Sequence, residues 1–142
     1  MELEERLDYI KKNMVHIDSL LNNHDANEII NDYTLLTSVL YTLQVSIQSL
    51  IDMGLRFLAE IGEKPPNRYS EIGELLRNEK VFDANDVKLF RKIVGFRNII
   101  VHRYTSINLN LLEKILRDRL YKDIYKLALK IAKKANEMGV DP

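Results

Sequence analysis

The segment from Tyr33 to Ile61 limits the possible folds more than any other part of the chain. Leu36, Val39, Leu40, Leu43, Ile47, Leu50, Ile51, Leu58 and Ile61 recur at helical spacing and cover more than one face. A helix that is apolar on several sides has to be packed on several sides, so this segment is read as the centre of a helical bundle. Gly62 and Pro65-Pro66 stop it, since proline removes a backbone donor and clashes with the preceding turn.

The flanking segments fit that arrangement. Leu3, Leu7, Ile10, Met14, Ile17 and Leu21 alternate spacings of four and three, which predicts a first helix with one apolar stripe, ending at Asn22-Asn23-His24-Asp25. A short helical turn is expected from Ala26 to Ile30, with Asn31 or Asp32 as N-cap of the central helix. After the proline loop come a short helix from Tyr69 to Arg77 and a turn in which Asp83 or Asn85 caps a helix running from Val87 to Tyr104. Leu112, Leu116, Leu120, Ile124, Leu127, Ile131, Ala135 and Met138 predict one long last helix closed by Gly139. No stretch alternates with period two. The expected product is all-α: an antiparallel bundle of four to five helices, in one domain spanning 1–142.

Composition narrows the chemistry. Twenty-one basic residues balance 21 acidic ones, so no overall field draws the chain to nucleic acid or anionic lipid, and any RNA contact has to come from a local patch. With no Cys and three widely spaced His, neither a disulfide nor a metal cluster is expected, and no cofactor is implied. No signal peptide and no apolar run long enough to span a bilayer are read, so a cytoplasmic location without membrane contact is expected.

One octapeptide concentrates reactive groups: Arg97-Asn98-Ile99-Ile100-Val101-His102-Arg103-Tyr104. On a helix, Asn98 and His102 lie about 100° and about 140° from Arg97, and Tyr104 about 20° from it. Phe90, Ile93, Val94 and Val101 bracket the Arg97 direction, so a guanidinium leaves the middle of the apolar face while Lys88, Arg91 and Lys92 take the solvated side. A cation at a seam needs an anion, because an unpaired buried charge is costly. That anion is either a carboxylate of the fold such as Asp52, with His102 then capping a helix C-terminus, or a phosphate.

The second possibility suits cleavage of an RNA phosphodiester. Imidazole can take the proton of a 2′-hydroxyl or give one to the leaving oxygen, while the guanidinium balances charge on the phosphorane-like transition state. Asn98 can orient the imidazole or bind a phosphate oxygen, and Arg103 can add a phosphate contact. One His does not easily act as both base and acid, so a symmetric second copy would complete the set. Ile99, among Lys88, Lys92 and Arg103, and its neighbours Phe96 and Ile100 leave almost no fully polar face on this helix, which reads either as a helix covered by a dimer partner or as a single exposed isoleucine. Lys130, Lys133 and Lys134 read as a solvated basic face, His16 as an exposed or interface residue, and Tyr33, Tyr41, Tyr69, Tyr121 and Tyr125 as core or rim aromatics.

The motif Arg97-Asn98-x-x-Val101-His102-x-Tyr104 resembles the arginine-to-histidine signature of the HEPN superfamily, in the form carried by HepT toxins. Tyr41-x-Leu43-Gln44-x-x-Ile47-Gln48-x-Leu50-Ile51-Asp52-x-Gly54 is similar to that family's second helix, and Pro66-x-x-Tyr69 to its proline-tyrosine loop, so the likeness runs from Leu3 to Lys130. The resemblance implies a HEPN-like bundle dimerising around the motif helix and a metal-independent endoribonuclease toxin with Arg97 and His102 as catalytic residues. It further implies an MntA-type minimal nucleotidyltransferase antitoxin that transfers AMP to Tyr104, with Asn98 and Asp52 in supporting roles. The competing reading is a helical binding module that docks a nucleotidyltransferase or a nucleotide and cleaves nothing.

Overall fold

In the computed structural model, which describes residues 2–141, the helices follow one another as α1 (Glu2–Asn23), α2 (Ala26–Asn31), α3 (Tyr33–Glu60), α4 (Glu71–Asn78), α5 (Ala84–His102), α6 (Leu109–Arg117) and α7 (Lys122–Met138). A 3-10 turn, Tyr104–Ser106, joins α5 to α6, and no strand occurs among the described residues. The four long elements α1, α3, α5 and α7 are the all-α bundle that the periodicity predicts. Two of them start where a short side chain takes up orphan backbone donors: Asp32 accepts from Leu35 N–H at α3, and Asp83 and Asp86 form a reciprocal capping box at α5.

The central helix α3 packs on α1, α7 and α5. Arg6 reaches Asp52 while His16 reaches Ser38, so α1 runs antiparallel to α3; Leu3 meets Asp141 while Asp18 meets Lys122, so α7 runs antiparallel to α1. Val39, Leu43, Ile47, Leu50, Ile51 and Phe57 are buried along α3, and the hydroxyls of Thr42 and Ser46 are satisfied by carbonyls one turn back. Contrary to the expectation that no apolar run could span a bilayer, α3 is long and apolar enough to do so by length and composition. Its apolarity serves the bundle instead, because neighbours cover it on several sides.

The largest departure lies in the last segment, where one long helix was expected and two are found. Arg119 adopts a left-handed backbone, Leu120 N–H reaches back to Ile115 O at 2.9 Å, and the chain turns before restarting at Lys122. A left-handed non-glycine residue costs about 1 to 2 kcal/mol, and side-chain contacts offset it. Arg119 donates to Asp18 at 2.6 Å, Tyr121 donates its hydroxyl to the same carboxylate, and Lys122 lies 3.3 Å from its other oxygen. Burial works against charge on Asp18, yet the hydrogen bonds from Tyr121, Lys122 and Arg119 outweigh it and hold the carboxyl below its ordinary range. Burial and the adjoining Asp18 carboxylate push the Tyr121 phenol up. Leu120, expected on the apolar line, is left exposed by the break, whereas Leu112, Leu116, Leu127 and Ile131 are buried as predicted.

Candidate active site on the motif helix

Helix α5 is held at both ends. Its first turn is fixed by the capping box and by Lys130 of α7, whose ammonium lies 2.6 Å from the buried Asp86 carboxylate; Lys130 is therefore not part of a purely solvated face. Phe90, Val94 and Ile100 are buried against the bundle. The helix ends at His102, two residues earlier than predicted, with Arg103 N–H closing on Ile99 O at 2.8 Å.

Arg97 sits half-buried on the seam between α5 and α3. Its Nη2 donates to Gln48 Oε1 at 2.7 Å, its Nη1 donates to Asn98 Oδ1 at 3.1 Å, and its Cζ lies 5.8 Å from the centre of the Tyr69 ring. The Nε–H is buried without a hydrogen-bond acceptor. Among the described residues no carboxylate comes within ion-pair range of this guanidinium. The direct Asp52–Arg97 pair considered from the sequence is absent: Asp52 accepts from Arg6 Nη1 at 3.1 Å and from Gln48 Nε2 at 3.0 Å, and Gln48 stands between the two groups.

The remaining motif residues face outward. His102 is exposed at the end of α5 and makes no hydrogen bond to a described residue. Five residues of helix separate it from Arg97, about 7.5 Å of rise and about 140° of rotation, so the two side chains leave the helix on different sides. Asn98 engages Arg97 and not the imidazole. Arg103 is exposed and forms no ion pair among the described residues. Tyr104, 43% exposed, opens the 3-10 turn beyond the helix end, so the helical angle that would put it about 20° from Arg97 does not apply to it.

Gln48 and Tyr69 are the two contacts to Arg97 that sequence reasoning did not assign. Both fall in segments that carry the family resemblance, which is the only signal that could have raised them. Two hollows open on the bundle surface. One of about 690 Å³ lies between α1 and α3, lined by Arg6, Tyr9, Gln48, Asp52 and Arg56. An apolar groove of about 670 Å³ runs between α5 and the α6–α7 turn, lined by Phe96, Ile99, Leu111, Ile115 and Leu120. Among the described residues no group of three or more His, Asp or Glu side chains is placed to hold a metal ion.

The family model described as "Ribonuclease HepT-like" matches residues 10–131, a span that contains the whole arrangement around Arg97. The chain belongs to the HepT-like ribonuclease family. An Archaeoglobus fulgidus relative named "Putative RNase" is 25% identical over 117 residues, covering 82% of this chain and 86% of its own. The HepT-like bundle also superposes on solved structures. A tri-AMPylated HEPN toxin of Shewanella oneidensis, in complex with MNT antitoxin, matches with a TM-score of 0.83 at 22% identity, over 93% of this chain and 97% of that one. A cytosolic Bacillus subtilis protein of unknown function, YutE, matches with a TM-score of 0.80 at 16% identity, over 99% and 92%. At these identities the two superpositions establish a shared fold, and the HepT-like assignment rests on the family match.

Proposed function

We propose that this HepT-like chain is the endoribonuclease toxin of a HepT/MntA-type pair, cleaving RNA without a metal in a cleft shared by two copies. The observation that carries the reading is the state of Arg97: a guanidinium at an apolar seam, held by two amide oxygens and an aromatic ring, with no carboxylate to neutralise it. Such a group retains its full charge for a phosphate.

In the proposed reaction the RNA 2′-hydroxyl attacks its own phosphorus and the bond to the 5′-oxygen breaks. His102 of one copy takes the hydroxyl proton, the second copy's imidazole supplies a proton to the leaving oxygen, and Arg97 balances the charge of the phosphorane-like transition state. Because Arg97 and His102 leave α5 on different sides, pairing the motif helices of two copies is what would bring an imidazole from each to one phosphate. Asn98 keeps Arg97 directed along the seam, and Arg103, exposed at the helix end, supplies a further phosphate contact. Tyr104 is the acceptor of AMP from an MntA-type nucleotidyltransferase; its exposed phenol suits that role, and an adenylate there would put negative charge beside the cleft. An RNA substrate implies a cytoplasmic location.

The test is incubation of RNA with purified protein in EDTA. Wild type should cleave; Arg97→Ala and His102→Ala should not, while their circular dichroism and sedimentation stay unchanged. Tyr104→Phe should keep cleavage and lose AMP transfer. Cleavage retained by Arg97→Ala would count against the nuclease, and antitoxin binding without any cleavage would leave the binding module as the better description.

A further inference from the structure

The contacts of Gln48 point beyond which residues react to how one of them is held. Asp52 Oδ1 accepts at 3.0 Å from one end of the Gln48 amide, and Arg97 Nη2 donates at 2.7 Å to the other. A carboxylate can only accept and a guanidinium can only donate, so the amide has one orientation that satisfies both, NH₂ toward Asp52 and oxygen toward Arg97. Asp52 is itself anchored from α1, because Arg6 Nη1 lies 3.1 Å from its second oxygen. The result is a chain of side chains from α1 through α3 to α5: Arg6, Asp52, Gln48, Arg97.

The charges along this chain are segregated. The acid that faces Gln48 has its own cation in Arg6, which Glu2 also contacts at 3.1 Å. Among the described residues, the hydrogen-bond and ring partners of Arg97 are neutral: the Gln48 and Asn98 amides and the Tyr69 ring. We infer that Gln48 is a charge-neutral clamp, a positioning residue that fixes the Arg97 guanidinium through a hydrogen bond while leaving its positive charge for the scissile phosphate. This rests on the nuclease reading given above. A carboxylate at the same place would grip harder but would pair with the cation and compete with the phosphate. An apolar side chain of similar length would leave the charge intact but remove the hold from α3, so that the guanidinium keeps only the Asn98 hydrogen bond from its own helix. The two kinds of substitution should therefore fail in different ways.

The experiment combines side-chain ¹⁵N spectra of Arg97 with steady-state cleavage of a single-stranded RNA oligonucleotide. In wild type, hindered rotation should resolve separate Arg97 Nη signals. Gln48→Met should merge those signals and lower kcat about 10- to 100-fold with KM within a few-fold, as expected for a misplaced transition-state contact. Gln48→Glu should keep the signals resolved yet raise KM about 10-fold or more, because substrate phosphate must displace a carboxylate. Should Gln48→Met not fold, Asp52→Leu, which frees the amide to turn, replaces it, with merged signals and reduced kcat again expected. Wild-type kinetics in Gln48→Met or its replacement, or in Gln48→Glu, overturn the proposal, and so do unresolved Arg97 signals in wild type. If wild type cleaves no RNA, the nuclease reading fails; the spectra then report on the clamp alone.

Discussion

Lys130 Nζ lies 2.6 Å from Asp86 Oδ2, and the Asp86 side chain is only 4% exposed. The pair bolts the first turn of the motif helix to α7 and does so inside the capping box, where Asp86 also accepts from Asp83 N–H. Removing the cation strands a buried carboxylate. Lys130→Met is expected to lower stability by about 2 to 3 kcal/mol, the low end for a buried pair because the lysine keeps partial contact with water. Urea denaturation measures it, and an unchanged midpoint would mean that the pair contributes nothing.

Gly54 of α3 faces Ile72 and Leu76 of α4. A Cβ built there meets Ile72 Cγ2 at 2.7 Å, and Ile72 is fully buried, so the isoleucine has little room to yield. Gly54→Ala should therefore destabilise the fold by about 1 to 3 kcal/mol, despite alanine's higher helix propensity. A more stable variant in thermal melts would show that the helices separate freely, and the Tyr69 loop that leads into α4 would then be less firmly placed.

Asp141 closes the chain onto its start. Its Oδ2 accepts from Leu3 N–H at 2.7 Å and its Oδ1 lies 3.3 Å from Arg56 Nη2. The Leu3 N–H foremost, with Arg56 contributing, holds this carboxyl down at about 2 against an ordinary 3.8. A folded pKa below the unfolded one stabilises above the unfolded value and is lost as pH falls through the folded value. The wild-type advantage over Asp141→Asn in urea midpoint should be full at neutral pH and should shrink from about pH 4 to about pH 2. An advantage that does not change across that window would place the effect elsewhere than in the charge.

Ile99 borders the apolar groove beside α5 and is 38% exposed in the single chain. If two copies pair around the motif helix, a charge there opposes association. Ile99→Glu should sediment as a monomer and cleave RNA poorly although Arg97 and His102 are untouched. A wild-type protein that is already monomeric at micromolar concentration would remove the shared cleft from the mechanism.

Much of the framework is legible in single segments. Helix periodicity places α1, α3 and α5, and short side chains such as Asp32 and Asp83 mark where they begin, because capping and amphipathicity act over one or two turns of chain. The grouping of Arg97, Asn98, His102 and Tyr104 is visible for the same reason, as is the placement of Arg97 on the apolar side. The break at Arg119 escapes such reading: the apolar residues on either side keep a continuous helical phase, and the turn is held by Asp18, about a hundred positions earlier in the chain.

By itself, then, the order of residues determined α1, α3 and α5, the caps at Asp32 and Asp83, and the clustering of Arg97, Asn98, His102 and Tyr104 in one segment, all consequences of interactions between neighbours along the backbone. Tertiary packing alone decided that Arg97 is met by Gln48 and Tyr69 rather than by Asp52, and that Lys130 is spent on Asp86. Those choices depend on which side chains distant segments bring to one seam, and burial makes each of them specific: a charge removed from water must have a partner, and only the assembled bundle determines which one is within reach.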